Sequence, residues 1–241
     1  MQHRGHKPMR VFDIFRSIQG EGTRAGVPMD FVRLAGCDLA CAYCDTPAAR
    51  DPAAGCDMTV AEVLAALPQP GLECVEITGG EPMLHLEETN ALIAALVELP
   101  APDVCAAGPG EGPCMRSHRR VEAKRTVLVE TSGAHPIELL DGRAVRIVDF
   151  KTPGSGMAER MVWTNVGHLT PHDEAKFVLT GRDDYEWARA MLTRHRLADL
   201  CPVLFSPVTA TLDARTLAQW IVADALPVRL NLQLHRLLNL P

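Results

Sequence analysis

The chain has no surplus of positive charge. Its 24 Lys and Arg are outnumbered by 30 Asp and Glu, for a net charge of −6 with histidine neutral. A broad nucleic-acid footprint needs the opposite sign, so none is expected. No apolar run reaches the roughly 18 residues of a spanning helix, which argues against a membrane protein. The opening stretch, residues 1–8, is polar and basic, lacks the apolar core of a secretory signal, and reads as a flexible N-terminal tail. There is no internal repeat. Without an export signal, the 8 cysteines argue against a disulfide framework and for a reducing, cytoplasmic setting. What remains is 241 residues, 47% hydrophobic and 22% charged, enough for one large globular domain or at most two small ones.

The cysteines that are organised stand together. Cys37, Cys41 and Cys44 have a C-x3-C-x2-C spacing, preceded by Gly36 and followed by Asp45, Thr46 and Pro47. One short loop can curl to aim three thiolates at one point. A structural zinc usually takes four protein ligands, and so does an ordinary four-iron cluster. Three cysteines leave one iron of a four-iron cluster open to another ligand. A zinc knuckle with a distant fourth ligand is the competing reading of the same spacing.

Along the chain, apolar β-branched runs alternate with helical patterns. Strands are expected at residues 10–18, 29–34, 74–78, 126–130, 145–150, 175–179, 202–205 and 228–234. Thr59 and Glu62 have the form of a capping box opening a helix to Leu67, stopped by Pro68 and Pro70. Further helices are expected over 87–99, where Leu92, Ile93, Leu96 and Val97 share a stripe, and over 183–197 and 213–226. Residues 100–125 break the rhythm with GPGEGP, two cysteines and a basic run, and read as a surface insertion in a single domain spanning 9–241.

Strand, loop and helix in repetition are the signature of a parallel sheet covered by helices. The polar and glycine-rich motifs fall after strands, at the sheet end where α/β folds build their sites. About four helices against seven or eight strands are too few for a complete eight-fold barrel. The fold class is therefore α/β, an incomplete, open (β/α) barrel.

Several motifs together resemble one family. The cysteine loop resembles the signature of the radical S-adenosylmethionine (SAM) superfamily. Gly79-Gly80-Glu81-Pro82, after a strand, resembles that superfamily's site for the SAM amino group. Adding Ser17 to Gly22 (SIQGEG), FVRLAGC before the loop, CDT closing it, ETSG at 130–133 and the terminal QLHR-x4-P, the chain resembles a 7-carboxy-7-deazaguanine synthase over roughly 10–100 and 126–241.

The resemblance implies an open barrel of the radical SAM type and a site placed residue by residue. Cys37, Cys41 and Cys44 would hold a [4Fe–4S] cluster, and Thr46 would offer a hydroxyl to Mg²⁺, a cation that prefers oxygen. Ile18, Gln19, Gly20, Glu21 and Thr78 would face the substrate. Arg33 would pair with the substrate carboxylate, where a planar fork suits a planar anion. SAM would lie against Gly80, Glu81, Ser132, Asp149, Phe150, Lys151, Phe205, Ser206 and Pro207. His235 and the carboxylate of Pro241 would complete the substrate pocket. The implied reaction is that of a carbon–nitrogen lyase: 6-carboxy-5,6,7,8-tetrahydropterin to 7-carboxy-7-deazaguanine with loss of ammonia, on the route to queuosine and related deazapurines. The implied partners are a flavodoxin- or ferredoxin-type electron donor and a second copy in a homodimer. A radical SAM activase that raises a glycyl radical on a partner protein would share the loop but would not need Arg33 or SIQGEG.

Overall fold

The computed structural model describes residues 7–101 and 124–241. Most of the expected tail and of the expected insertion, with Cys105 and Cys114, lies outside the described residues. The described residues form a nine-stranded sheet of order β3-β1-β2-β4-β5-β6-β7-β8-β9. The strands are β1 (Met9–Ile18), β2 (Pro28–Leu34), β3 (Cys56–Met58), β4 (Cys74–Gly79), β5 (Thr126–Thr131), β6 (Val145–Asp149), β7 (Glu174–Leu179), β8 (Val203–Pro207) and β9 (Arg229–Leu230). From β2 through β9 every pairing is parallel. The end strands β3 and β9 do not pair with each other, so the barrel stays open, as expected.

The expectation of an all-parallel sheet needs correction at its first edge. β1 pairs antiparallel with both β2 and β3. The link from Ile18 to Pro28 is too short for a crossover helix and long enough for a hairpin. β3 itself was not expected: Cys56-Asp57-Met58 has too few apolar residues to read as a strand. The last expected strand also shrinks. Only Arg229–Leu230 extend β8, and the chain then turns into a short helix, α5 (Leu234–Leu238).

The helices follow their sequence signals. α1 (Val60–Ala66) starts at the Thr59–Glu62 capping box, with both reciprocal bonds present. α2 (Leu86–Glu98) buries Thr89, Leu92, Ile93, Leu96 and Val97. α3 (Arg182–His195) opens with Asp183 and Asp184 and closes with Arg194 and His195, the charge order a helix dipole favours. α4 (Ala214–Ala223) is capped by Asp213, which accepts from the Thr216 amide at 3.0 Å.

Alternation along the strands divides the sheet into an outer apolar face and an inner face. Outside, Val32, Leu34, Val75, Ile77, Val127 and Val129 pack with α1 and α2 residues. Further round, Val148, Ala175, Phe177, Leu179, Val203 and Phe205 pack with residues of α3 and α4. Inside, a small apolar plug of Met29, Phe31, Cys74, Leu128, Val145 and Ile147, with Phe15 against it, fills the lower end. Above the plug the inner face turns polar, and that change of character makes the site.

Candidate active site

A cavity of about 400 Å³ opens at the carboxyl ends of the parallel strands. Of the residues singled out in the sequence, Cys37, Cys41, Cys44, Thr46, Ile18, Gln19, Gly20, Glu21, Arg33, Thr78, Gly80, Ser132, Asp149, Lys151, Pro207, His235 and Pro241 line it.

The cysteine loop is braced from several sides. The Gly36 amide donates to the Ala49 carbonyl at 2.8 Å, and the Cys37 amide to the Arg50 carbonyl at 3.1 Å. The Ala42 amide donates to the Ser155 carbonyl at 3.0 Å. Tyr43 donates its hydroxyl to the Val178 carbonyl on β7 at 3.1 Å, and burial pushes that phenol up to about 12. Asp38 takes bonds from Arg160 at 2.8 Å and from His135 at 3.2 Å. Burial works against the Asp38 charge, but these two partners hold its carboxyl below the ordinary range.

The three thiols are free and half-buried. Burial pushes those of Cys37 and Cys41 up. Sulfurs on one zinc, each about 2.3 Å from the metal, would lie within about 4 Å of each other. Among the described residues, the set of three His, Cys, Asp or Glu whose donor atoms come within 4.8 Å of one another is Glu21, Asp45 and His235, not the cysteines. The three sulfurs are thus not all within 4.8 Å of one another, a spread that an iron–sulfur cluster accommodates.

Beside the loop, the glycine turn after β4 presses on it. The Gly80 amide donates to the Leu34 carbonyl and the Glu81 amide to the Gly36 carbonyl, both at 2.8 Å. A Cβ on Gly80 would stand 1.9 Å from the Gly36 oxygen, so only glycine permits this approach. Glu81 is fully buried and does not line the cavity. Its carboxylate accepts from the Met83 amide at 3.0 Å, the Thr131 hydroxyl at 2.7 Å and the Ser132 amide at 2.8 Å. It clamps the turn after β4 to the end of β5, so it supports the expected SAM site from behind.

Three expected SAM contacts need correction for a similar reason. Phe150 is fully buried, stacked between Trp163 at 5.1 Å and Phe177 at 5.7 Å. Phe205 is fully buried against Phe177 and Tyr185. Both have the outward parity of their strands. Ser206 has inward parity, but its hydroxyl accepts from the Asn231 amide at 2.7 Å and is sealed below the cavity wall. Asp149 and Lys151 do line the cavity, joined by a 2.6 Å bond from Nζ to Oδ2. Burial works against the Lys151 ammonium, but Asp149 holds it charged well above its ordinary range. Asp149 Oδ1 is buried with no partner among the described residues.

The cavity floor contains residues that sequence reasoning missed: Glu76 on β4, Glu130 on β5 and Lys176 on β7. Lys176 Nζ bonds Glu130, lies 2.8 Å from Glu21 and sits 3.9 Å from Asp149. Burial works against the charges of Lys176 and Glu130, but their mutual attraction raises the lysine and lowers the acid. Glu21 is a hub: besides Lys176 it accepts from Asn231 at 3.1 Å and from Gln233 at 2.8 Å. It thereby ties the SIQGEG turn to the C-terminal segment. His235 follows in that segment and lies flat on Gly20, where a Cβ would meet its Nδ1 at 1.9 Å.

Two guanidiniums face the cavity without hydrogen-bond partners among the described residues. Arg33 lies 4.8 Å above the Phe15 ring, which in turn stacks on Phe31 at 5.0 Å. Arg50, also missed from sequence, follows the cysteine loop, and its Nε is buried and unsatisfied.

A three-cysteine loop at the open end of a partial barrel, with a glycine turn packed against it in the same cavity, defines a radical SAM enzyme. The family model described as "4Fe-4S single cluster domain" matches residues 18–104. The chain is 37% identical over 232 residues to a 7-carboxy-7-deazaguanine synthase of Chlorobaculum tepidum, covering 95% of this chain and 93% of that protein. It is 36% identical over 248 residues to one from Koribacter versatilis, covering 97% and 98%. It is 34% identical over 235 residues to one from Methanospirillum hungatei, covering 97% and 86%. The crystal structure of QueE from Escherichia coli shares the fold, with a TM-score of 0.67 at 20% identity over 95% of both chains. The chain belongs to the 7-carboxy-7-deazaguanine synthase family.

Proposed function

We propose that this chain converts 6-carboxy-5,6,7,8-tetrahydropterin to 7-carboxy-7-deazaguanine with release of ammonia. The observation that carries the reading is one cavity holding both the spread cysteine trio and the unpaired Arg33, with relatives of that name matching nearly the whole chain. Cys37, Cys41 and Cys44 would hold a [4Fe–4S] cluster, with SAM beside it in the same cavity. When bound, the cluster would supply the one-electron reducing chemistry by which SAM is put to work on the pterin.

The chain's own residues bind, orient and exclude water. Arg33 pairs with the pterin carboxylate, its guanidinium already placed over the Phe15 ring. Gly20, Glu21, Thr78 and His235 face the pterin ring, and Pro241 closes the rim. Asp149, Lys151, Ser132 and Pro207 line the SAM side, with Gly80 against its amino group. Thr46 offers its hydroxyl to Mg²⁺; it now donates to Asp45 Oδ1 at 3.1 Å and lies at the cavity mouth. We place the enzyme in the cytoplasm as a homodimer served by a flavodoxin- or ferredoxin-type donor. The glycyl-radical activase reading has no support among the relatives.

The test is anaerobic incubation of the iron-reconstituted protein with SAM, a strong reductant and the carboxypterin. Formation of 7-carboxy-7-deazaguanine, identified by mass and absorbance, is the expected result. Bound zinc without sulfide, or SAM cleavage with no deazaguanine, would sink it.

A further inference from the structure

The SIQGEG turn presents Gln19 to the cavity, yet the Gln19 side chain has little left to offer a ligand. Its Nε2 donates to Glu76 Oε2 and also reaches the Met29 sulfur at 3.8 Å. Its Oε1 accepts from the Glu21 amide at 3.0 Å. Both ends of the amide are engaged inside the protein. What they hold in place is Glu76.

Glu76 sits on the inner face of β4, two residues before Thr78, and lines the same cavity. It is 3% exposed. Among the described residues its second oxygen, Oε1, has no hydrogen-bond partner, yet it is not one of the sealed, unsatisfied atoms. It therefore keeps some exposure, on a residue that lines the cavity. Among the described residues no cation forms an ion pair with Glu76, although the charge of Lys176 reaches it. The charged groups around it are Glu130 on β5, Asp149 on β6, Lys176 on β7 and Glu21 after β1. Lys176 is taken by Glu130 and Glu21, and Lys151 by Asp149. Four carboxyl groups thus share two ammoniums, and Glu76 is the one whose sole partner is a neutral amide. Because Gln19 can only donate to Oε2, a proton on Glu76 has its place on Oε1.

We propose that Glu76 is a specificity-determining contact for the pterin, its Oε1 hydroxyl donating to a carbonyl oxygen or ring nitrogen of the heterocycle. This rests on the function proposed above. Burial, with the neighbouring Glu130 charge second, raises Glu76 well above the ordinary carboxyl range, in accord with a neutral acid at neutral pH. A donor at this depth selects for a heterocycle with an acceptor facing the β4 side, and an unmatched ring would leave that donor unpaired.

The experiment compares wild type, Glu76→Gln and Glu76→Leu, all iron-reconstituted, in anaerobic equilibrium dialysis against the carboxypterin and separately against SAM. Circular dichroism checks the fold. Gln keeps one acceptor for Gln19 and one donor for the cavity, so its pterin Kd should stay within about threefold of wild type. Leu keeps bulk only, and its Kd should rise at least tenfold, while SAM binding and iron content stay at wild-type values in both. Wild-type affinity should weaken as pH rises toward deprotonation of Glu76, and Glu76→Gln should be flat over the same range. If Gln is as damaging as Leu, an ionised carboxylate is what the site uses and the proposal is wrong. Wild-type affinity in Glu76→Leu is equally fatal, because it removes the contact. If wild type itself binds no pterin, the proposed substrate falls first and this inference with it.

Discussion

Arg33 carries the clearest consequence at the level of one side chain. Its guanidinium lies over the Phe15 ring and has no hydrogen-bond partner among the described residues, so its donors are open to a bidentate anion. A hydrogen bond to a charged group contributes about 1.5–3 kcal/mol, which is roughly 10- to 150-fold in affinity. Arg33→Ala should raise the pterin KM by that order and leave iron content and SAM affinity alone. An unchanged KM would remove Arg33 from the substrate site. Glu76 yields a second expectation at this scale, read in stability instead of binding. Its folded-state pKa lies above its ordinary 4.5, so its contribution is fully present below pH 4.5 and is lost as pH rises through the folded value. Glutamine has no proton to lose. Urea midpoints of Glu76→Gln and wild type should therefore diverge in favour of the variant as pH climbs from 5 to 8; a parallel pair of curves would show that Glu76 is not held neutral.

The strand is the scale at which sequence and structure can be compared with profit. Every motif placed after a strand does sit at the cavity end, because connections at that end carry the glycines and the polar groups. What reading by motif missed was parity. In CVEIT, TVLVE and AKFVL a single charge, Glu76, Glu130 or Lys176, stands where alternation turns it inward, and each proves to be cavity floor. The same rule turns Phe150 and Phe205 outward, into the packing under α3 and α4. A charge inside an apolar strand was thus the available signal. Ser206 shows the limit of that signal: its parity is inward, but only three-dimensional contact reveals that Asn231 covers it. The turn after β4 offers a test of element geometry. Gly80→Ala would drive a methyl into the Gly36 carbonyl, and overpacking of this kind costs about 1–3 kcal/mol. The displaced turn should weaken SAM binding by more than it weakens pterin binding, measured side by side by dialysis. Equal losses would mean general unfolding and not a local shift of the SAM wall.

Across the whole molecule, the open barrel has one weak side, where β9 contributes only two residues and the sheet stops. There the C-terminal segment closes over the cavity, and it is fastened by side chains more than by a ladder. Asn231 is the fastening. It is 4% exposed, accepts from the Gly22 amide at 2.7 Å, and donates to Ser206 at 2.7 Å and to Glu21 at 3.1 Å. One residue thus joins β8, the SIQGEG turn and the segment that carries Gln233, His235 and Pro241. Removing it leaves the Gly22 amide without its acceptor, for about 1–3 kcal/mol. Asn231→Ala should loosen residues 229–241, seen as faster amide exchange there with α2 and α3 unchanged. The pterin KM should rise because His235 and Pro241 leave the rim, while the iron content, set by Cys37, Cys41 and Cys44, should hold. Asn231→Asp separates fastening from mere volume. It keeps the size and the acceptor for Gly22 but sets a second carboxylate directly beside Glu21. It should therefore be worse than alanine above its own pKa and recover toward alanine on acidification. If aspartate is instead as good as asparagine at neutral pH, the segment is held by its apolar contacts, and Glu21 is not the post to which the closing side of the barrel is tied.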